Sequence, residues 1–365
     1  MQVGFTDDQL QFQEVVARFL GDKSPPTAVR RQMETEKGYD PDVWGQLCGE
    51  VGLTGTHFPE GYGGFDFGPV ELGIICQQMG RHLYCGPYFS SAVMAGYALL
   101  LMGDEPSKQA LLPEIARGTT IATLVLDALD APDHVGTHLV ASGDVINGEA
   151  SIVVDAHVAD TLIVLARAGN DLNLYQVAPK DVQITPLTSV DATRKICSVV
   201  FSDVSATRIG EHASVKIPAL WDHMSVALAH EMIGGAERLF ETTIEYMKMR
   251  VQFGRAIGSF QALKHRCADL LLDIELAKAV THASAQYLAT GEGDHYSPNM
   301  AKAMASEAYL SMAKQAIQLR GGIGFTWEED THLWFKRAKA SEVFLGTANT
   351  HRDMMMNKIQ ESEHV

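Results

Sequence analysis

Positive charge is scarce in this chain. Its 365 residues include 29 Lys and Arg against 45 Asp and Glu, so the formal net charge is −16 at pH 7. No run of Lys and Arg is present, whereas nucleic acids and anionic membrane surfaces bind through clustered positive charge. We therefore expect neither as a partner. A few well-placed Arg side chains would still suffice to hold an anionic small molecule.

Cysteine is sparse as well, and long apolar runs are missing. The five cysteines are scattered without a Cys-x-x-Cys pair, and no histidine cluster has metal-ligand spacing. We expect reduced, buried thiols and no metal site. The longest apolar stretch, residues 92–102, falls well short of the ~18 residues that a membrane span requires. Residues 1–8 lack the features of a signal peptide, so the sequence predicts a cytoplasmic protein without a membrane span.

The pattern of apolar residues changes twice along the chain. With 46% hydrophobic residues and only 13 Pro, the chain has enough apolar material to fold. Helical periodicity begins at Thr6, a candidate N-cap, and continues to about residue 117. Short β-branched or apolar runs then follow at strand-like spacing, at residues 121–126, 151–154, 161–166, 172–177 and 197–201.

Helical periodicity returns at residue 217 and continues to 359. Glycine-containing segments interrupt it at residues 254–258, 291–298 and 321–324. The order predicts a protein that is mostly α with a central β domain. We expect an N-terminal helical domain over 1–118, a middle β domain over 119–215 and a C-terminal helical bundle over 216–365.

Two segments in the last third have the residue types of an anion-binding site. Residues 250–255 (RVQFGR) come at the end of a long predicted helix, and residues 318–326 (QLRGGIGFT) follow another. Consecutive glycines allow backbone N–H groups to approach a phosphate closely, and a nearby Arg can bind it with two hydrogen bonds. Each segment alone is more typical of an ordinary helix end than of a phosphate site.

Together and in this order, the segments resemble the acyl-CoA dehydrogenase family. Residues 59–64 (PEGYGG) look like that family's Pro-Glu-x-x-Gly-Gly segment. Residues 327–338 and 346–352 (GTANTHR) resemble its closing pattern, so the likeness extends over essentially the whole chain.

The resemblance implies the fold, the reaction and the partners. The family combines an N-terminal helical domain, a middle β-barrel or sandwich and a C-terminal four-helix bundle in a tetramer. Its members bind FAD and an acyl-CoA. A glutamate removes the α proton, hydride passes from Cβ to the flavin, and an electron-transfer flavoprotein reoxidises the FAD. The base must act where water is excluded.

The family's catalytic base is missing at both of its usual positions. In most members a Glu precedes a Gly-Thr pair, and here the corresponding residue is Leu345. A minority carry the base on the helix that ends in Arg-x-x-Phe-Gly, and the corresponding residue is Met224. Neither side chain can accept a proton. Glu231, seven residues beyond Met224 on the same predicted helix, is an alternative base, and a carboxylate paired within the bundle is the simpler interpretation.

The flavin contacts that the family places in its β domain are also altered. The segment that should carry a hydroxyl reads residues 129–132, with Asp130 at the hydroxyl position. The family's Trp-Ile-Thr segment reads residues 152–154 (IVV) and is followed by Asp155. The aromatic residue behind the flavin ring and the Thr at its edge are therefore both absent. Carboxylates there would oppose the negative charge that develops on a reduced flavin.

The contacts that the family supplies from a neighbouring subunit are retained. The resemblance assigns flavin binding on this side to seven residues: Arg250, Gln252, Phe253, Gln261, Gln318, Gly321 and Gly322. It also assigns Thr347 and Asn349 to the adenine side of FAD.

One half of a shared site is kept while the other half is lost. This favours the partner subunit of a heterotetrameric acyl-CoA dehydrogenase, as in actinobacterial steroid side-chain breakdown, with the base supplied by a second subunit. Two alternatives remain open. One is a self-sufficient homotetramer that uses Glu231 as its base, and the other is an inactive binding or structural homologue.

Overall fold

The computed structural model of the protein describes residues 4–363, so the first three residues of the segment compared with signal peptides lie outside it. Eleven α-helices lie within the described residues: α1 Asp7–Lys23, α2 Pro26–Glu34, α3 Pro41–Gly49, α4 Pro69–Arg81, α5 Gly96–Met102, α6 Glu105–Arg117, α7 Ile217–Met249, α8 Gln261–Thr290, α9 Ser297–Arg320, α10 Thr331–Val343 and α11 Ala348–Glu363. Ten strands lie there as well: β1 Ala122–Val125, β2 Leu139–Ser142, β3 Val145–Val154, β4 Thr161–Ala168, β5 Asp171–Val177, β6 Gln183–Leu187, β7 Ile196–Ser205, β8 Thr207–Gly210, β9 Val251–Gln252 and β10 Arg255–Ala256. The predicted order of helices, strands and helices is confirmed.

The start of α1 shows how closely local sequence determines a helix end. Thr6 is the N-cap, as predicted. Its hydroxyl accepts a hydrogen bond from the Gln9 N–H at 3.2 Å, and the Gln9 side chain accepts one from the Thr6 N–H at 3.0 Å. This reciprocal capping box satisfies two N–H groups that the helix itself leaves free.

The described residues form two compact units, which we call the helical unit and the sheet unit. The helical unit contains residues 4–29, 73–84 and 225–363, and the sheet unit contains residues 30–72 and 85–224. The first eight residues of α7 therefore belong to the sheet unit, and the remainder of α7 belongs to the helical unit.

The sheet unit is built on one eight-stranded sheet. Seven strands follow the order β6-β7-β3-β2-β4-β5-β8, and β1 pairs with β4 in parallel. The inward side chains form one apolar core from residues such as Val125, Ile146, Leu162 and Phe201. All five predicted strands are present. The sequence missed β2, β6 and β8, which are short, and β6 contains Pro186 at the edge of the sheet, where proline is tolerated.

The helical unit is built around α9, which packs against α8, α10 and α11. Most of its side chains are buried, so it is the central helix. The three predicted interruptions coincide with the segments between α7 and α8, between α8 and α9, and between α9 and α10. Met247, Cys267 and Leu319 form a small core where the end of α7, the start of α8 and the end of α9 meet.

Two compositional predictions bear on the fold. All five cysteines are free and buried, which confirms the prediction of buried thiols. Within residues 4–363, no helix combines the length and hydropathy needed to cross a bilayer.

Candidate cofactor site

The segment after α7 is a tight hairpin rather than a continuation of the helix. The helix ends at Met249, and β9 pairs with β10 so that Gln252 lies opposite Arg255. Phe253 and Gly254 form the two-residue turn, with φ of +53° and +77°. Positive φ at both central residues is the geometry of a type I′ turn. The turn therefore places the Phe253 side chain at the tip of the hairpin.

The hairpin presents one aromatic ring and one free cation. The side chain of Phe253 is 90% exposed. Arg250 is exposed too, and within the described residues its guanidinium has no hydrogen-bond or ion-pair partner. The Arg255 guanidinium differs, because it lies 4.0 Å above the centre of the Phe260 ring. Gln261, the first residue of α8, follows directly and is exposed. Arg250 is thus the cation available to a ligand.

The Gly-Gly segment lies after α9 in the same unit. Gly321 has φ +66° and ψ −142°, a conformation that side-chain-bearing residues avoid. A Cβ atom added at Gly321 or Gly322 would have no atom within 4 Å, so their backbone is open to an approaching ligand. Gln318, on the last turn of α9, is exposed as well.

The structure brings the α7 hairpin and the Gly-Gly segment together. The Tyr246 hydroxyl, near the end of α7, donates to the Arg320 carbonyl at 3.3 Å, immediately before Gly321. The buried core of Met247, Cys267 and Leu319 joins the same three helix ends. The seven residues that the family resemblance assigns to the neighbour-facing contacts therefore belong to one region, which we call the hairpin half-site.

Thr347 and Asn349 lie elsewhere, at the start of α11. The Thr347 hydroxyl accepts a hydrogen bond from the Thr350 N–H at 3.2 Å and so caps the helix. The Asn349 side-chain oxygen accepts a hydrogen bond from Arg352 at 3.3 Å. Both side chains already have local structural partners.

The first base position is sealed. Leu345 is 0% exposed and has φ +60°. Its carbonyl accepts a hydrogen bond from His351 Nε2 at 2.7 Å, and the next carbonyl, of Gly346, accepts one from Lys302 Nζ at 3.0 Å. Burial lowers the pKa of the Lys302 amine to about 7. The hydrogen bonds from His351 and Lys302 hold the turn at residues 345 and 346, in which the buried Leu345 keeps its left-handed backbone conformation.

The second base position and the alternative base are also enclosed. Met224 is 0% exposed. Glu231 is buried and accepts a hydrogen bond from Arg337 Nη1 at 2.8 Å, with side-chain exposures of 7% and 3% for the two partners. The Glu231 carboxylate points at the Arg337 guanidinium, so it is poorly placed to take a proton from a substrate.

The altered flavin segments of the sheet unit border a cavity of about 340 Å³. Asp130 and Ile152 line it, together with Leu126, Asp127, Ala128, Leu129, His134, Thr137, His138 and Ser151. Asp127 organises the loop that forms one wall, because its carboxylate accepts backbone N–H bonds from residues 136, 138 and 139. Asp130 accepts a hydrogen bond from His134 Nδ1 at 2.9 Å, and this contact raises the pKa of His134.

Asp155 is not among the residues that line this cavity. Its side chain is buried, and one of its carboxylate oxygens accepts a hydrogen bond from the Ser90 hydroxyl at 2.7 Å. Its backbone has φ +57°. Of the two carboxylates expected near a flavin, only Asp130 therefore faces an open space.

The two regions differ in their fit to the flavin that the family resemblance implies. The hairpin half-site offers a free guanidinium and an open glycine backbone, both suited to an anionic group. In the cavity of the sheet unit, which Thr137 and Ser151 also line, the two positions that correspond to flavin contacts of the family carry a carboxylate and an aliphatic side chain. The family has a hydroxyl in place of Asp130 and an aromatic residue in place of Ile152. The residues at the family's contact positions fit a flavin in the first region and do not fit one in the second.

One residue of the hairpin half-site was missed by sequence reasoning. Arg320 lies between two motif positions, Gln318 and Gly321, at a place where the family pattern specifies no residue type. It is buried and makes several polar contacts. Only the three-dimensional structure reveals this role, because its partners come from α7 and from the segment before α10.

Comparisons with known proteins give matches over most of the chain. The sequence model of the acyl-CoA dehydrogenase N-terminal domain matches residues 6–119, and that of the C-terminal domain matches residues 219–360. The acyl-CoA dehydrogenase IpdE2 of Mycobacterium tuberculosis is 34% identical over 356 residues, which cover 98% of this chain and 98% of that protein. IpdE2 of Mycolicibacterium smegmatis is 35% identical over 342 residues, with 93% and 95% covered.

Solved structures share the fold over nearly the full length. The Tcur3481–Tcur3483 steroid ACAD has a TM-score of 0.88 and 25% identity, and the match covers 98% of this chain and 99% of that one. The ChsE4–ChsE5 complex from Mycobacterium tuberculosis has a TM-score of 0.89 and 24% identity, with 99% of each chain covered.

Proposed function

Because the chain belongs to the acyl-CoA dehydrogenase family, we propose that it is the partner subunit of a heterotetrameric acyl-CoA dehydrogenase. In this proposal its hairpin half-site completes an FAD site whose remaining contacts and catalytic base belong to a second, related subunit. The complex would oxidise an acyl-CoA between its α and β carbons and pass electrons to an electron-transfer flavoprotein.

One observation carries the proposal: the residues expected to contact the flavin from a neighbouring subunit are retained, whereas the catalytic base is replaced at both of its usual positions. The hairpin half-site keeps a free guanidinium at Arg250 and an open backbone at Gly321 and Gly322. The positions that should carry the base, Leu345 and Met224, are apolar and 0% exposed. A chain that had lost all function would have no reason to keep the hairpin half-site. A self-sufficient enzyme would need a carboxylate at one of the two base positions.

The residues of the hairpin half-site have distinct tasks in this proposal. Arg250 binds an anionic part of the cofactor through charge-assisted hydrogen bonds. The backbone at Gly321 and Gly322 approaches the cofactor closely because no Cβ atom is in the way. Phe253 covers the cofactor and excludes water. When bound, FAD supplies the acceptor for the hydride that leaves the β carbon.

The heteromeric assembly has support from a solved structure whose name joins two different chains. This structure is the Tcur3481–Tcur3483 steroid ACAD, at 25% identity. A steroid-derived acyl group is accordingly the substrate class that we propose for the complex. The division into segments 1–118, 119–215 and 216–365 and the cytoplasmic location remain part of the proposal.

The alternative of a self-sufficient enzyme has less support. Its base would be Glu231, and that carboxylate is buried against Arg337 at 2.8 Å. Proton abstraction would require this ion pair to break inside the protein, where separating the partners is costly.

Replacing one charge in each half of the site tests the proposal. In the co-expressed pair, Arg250→Met should abolish or greatly weaken flavin binding, because the free cation is lost. Asp130→Ala should leave the flavin content unchanged, since the cavity of the sheet unit takes no part. Bound flavin is measured from the absorption near 450 nm of the purified complex.

Arg266→Met is the matched control, since Arg266 is an exposed arginine on the neighbouring α8 that contacts Gln315. It should retain full flavin content. The proposal fails if Asp130→Ala removes the flavin while Arg250→Met retains it, because the chain would then use its own β domain.

A further inference from the structure

Arg320 is a buried cation at the base of the Gly-Gly segment. Its side chain is only 4% exposed. Its Nη1 donates to the Thr243 hydroxyl at 2.7 Å and to the Ala316 carbonyl at 3.3 Å, and its Nη2 donates to the Thr242 hydroxyl at 3.2 Å. A buried guanidinium is costly unless it is paired and hydrogen-bonded, and these contacts provide the bonds.

The ion-pair partner of Arg320 lies beyond the Gly-Gly segment. Arg320 Nε is 3.3 Å from a carboxylate oxygen of Glu329. The same oxygen accepts a hydrogen bond from the hydroxyl of Thr331, the first residue of α10, at 2.9 Å. Residues 320 and 329 therefore close the segment between α9 and α10 at its two ends.

The backbone of Arg320 is fixed as well as its side chain. Tyr246 donates its hydroxyl hydrogen to the Arg320 carbonyl at 3.3 Å, and the Arg320 guanidinium lies 5.6 Å from the centre of the Tyr246 ring. Tyr246 is four residues before Arg250 on the chain, and the Arg250 N–H donates to the Tyr246 carbonyl at 2.8 Å. Arg320 thus connects the end of α7, the end of α9 and the segment that leads into α10.

The two glycines that follow have backbone contacts but no side chain that packs against the protein: the Gly321 N–H donates to the Gln318 and Ile317 carbonyls, and residues Gly321–Phe325 form a short 3-10 helix. A Cβ atom at either position would meet open space, and Gly321 adopts a conformation that glycine leaves easily. Glycine loses more conformational entropy than other residues when its backbone is fixed in one place. Holding both ends of the segment reduces that loss before the ligand arrives.

We propose that Arg320 is a positioning residue of the hairpin half-site, which holds the Gly321–Gly322 backbone at a fixed place relative to Arg250. It does not contact the cofactor itself. The inference rests on the proposed function, because it assumes that this half-site receives a flavin, and it adds a residue that the sequence motif does not specify.

Flavin affinity of the reconstituted heteromer tests the inference. The complex is stripped of flavin and titrated with FAD, with the quenching of flavin fluorescence as the readout. Arg320→Met should weaken FAD binding about tenfold or more, by analogy with the loss of affinity when the residues that orient metal ligands are removed. Arg320→Lys should restore part of the affinity, since it keeps the charge but loses the planar fork of donors.

Two further variants separate positioning from simple stability. Arg337→Met breaks the buried pair with Glu231 elsewhere in the helical unit, so it should lower the unfolding midpoint without changing FAD affinity. Thr243→Val keeps Arg320 but removes its shortest hydrogen bond. It should weaken FAD binding in the same direction as Arg320→Met, but less, and it remains informative if Arg320→Met does not fold.

The results distinguish this inference from the function on which it rests. If Arg250→Met weakens FAD binding while the Arg320 and Thr243 variants bind FAD like the unmodified complex, the positioning role is wrong and the proposed function stands. If Arg250→Met also binds normally, the proposed function itself is wrong. Equal losses of affinity in Arg337→Met and Arg320→Met would overturn the inference, because the effect would then follow stability alone.

Discussion

Glu231 shows why a carboxylate near a site is weak evidence for a catalytic base. The sequence places it on the helix that carries the base in some relatives, and a paired carboxylate was the simpler prediction. The structure pairs it with Arg337 rather than with the neighbouring His230, whose Nδ1 contacts the Val226 carbonyl at 2.9 Å. Burial lowers the pKa of His230 to about 3, so this histidine is neutral and offers no charge to a carboxylate.

This ion pair leads to a double-mutant prediction. Glu231→Leu and Arg337→Met should each lower the free energy of unfolding by about 3–5 kcal/mol, because each leaves one buried charge without its partner. The double variant should lose much less than the sum, since both charges are gone. Urea unfolding of the isolated chain measures all three.

The Glu231→Leu variant also tests whether Glu231 is the catalytic base. In the heteromer, Glu231→Leu should retain its turnover per bound flavin. Loss of a true general base would reduce turnover about 10²–10⁴-fold. A fall of that size, with the flavin still bound, would assign the proton abstraction to Glu231 and contradict our account.

At the hairpin of β9 and β10, local strain and exposure occur together. Phe253 has φ +53°, a conformation that costs a non-glycine residue of its size roughly 1–2 kcal/mol. It is also 90% exposed. Asn-Gly is the preferred pair for such a turn, so the phenylalanine is a poor choice for the free chain. A ligand or a second subunit that covers the ring would explain it.

Phe253→Asn should therefore separate stability from function. It relieves the strain and removes an exposed ring, so the isolated chain should gain about 0.5–1 kcal/mol in unfolding free energy. The complex should retain less flavin, because the covering ring is lost. Thermal unfolding of the chain and the 450 nm absorption of the complex measure the two effects, and a gain in stability without any loss of flavin would remove Phe253 from the site.

The elements also show where sequence reasoning succeeds. The long helices, the four longest strands and the buried strand β1 could be predicted, because apolar periodicity and glycine interruptions are local signals. The hairpin after Met249 could not, since Phe-Gly is an unusual type I′ pair and the motif looked like a helix end. The role of Arg320 could not be predicted from the sequence, because its hydrogen-bond partners Thr242 and Thr243 are more than 70 residues away along the chain.

For the whole molecule, the central claim is an asymmetry between two halves of a shared site. Motif residues predicted the hairpin half-site, and the structure gathers the ends of α7 and α9 and the start of α8, where those residues lie, into one region. The loss of the other half was readable from Leu345, Met224 and Ile152. The sequence could not show that the two base positions are sealed from solvent, because burial depends on contacts between distant segments.

Flavin stoichiometry tests that asymmetry most directly. The chain is purified alone and then after co-expression with the candidate second subunit, and bound FAD is quantified per chain from the visible spectrum. Our account predicts a colourless protein alone and about one flavin per two chains in the pair. One flavin per chain in the isolated protein, together with oxidation of an acyl-CoA, would contradict it.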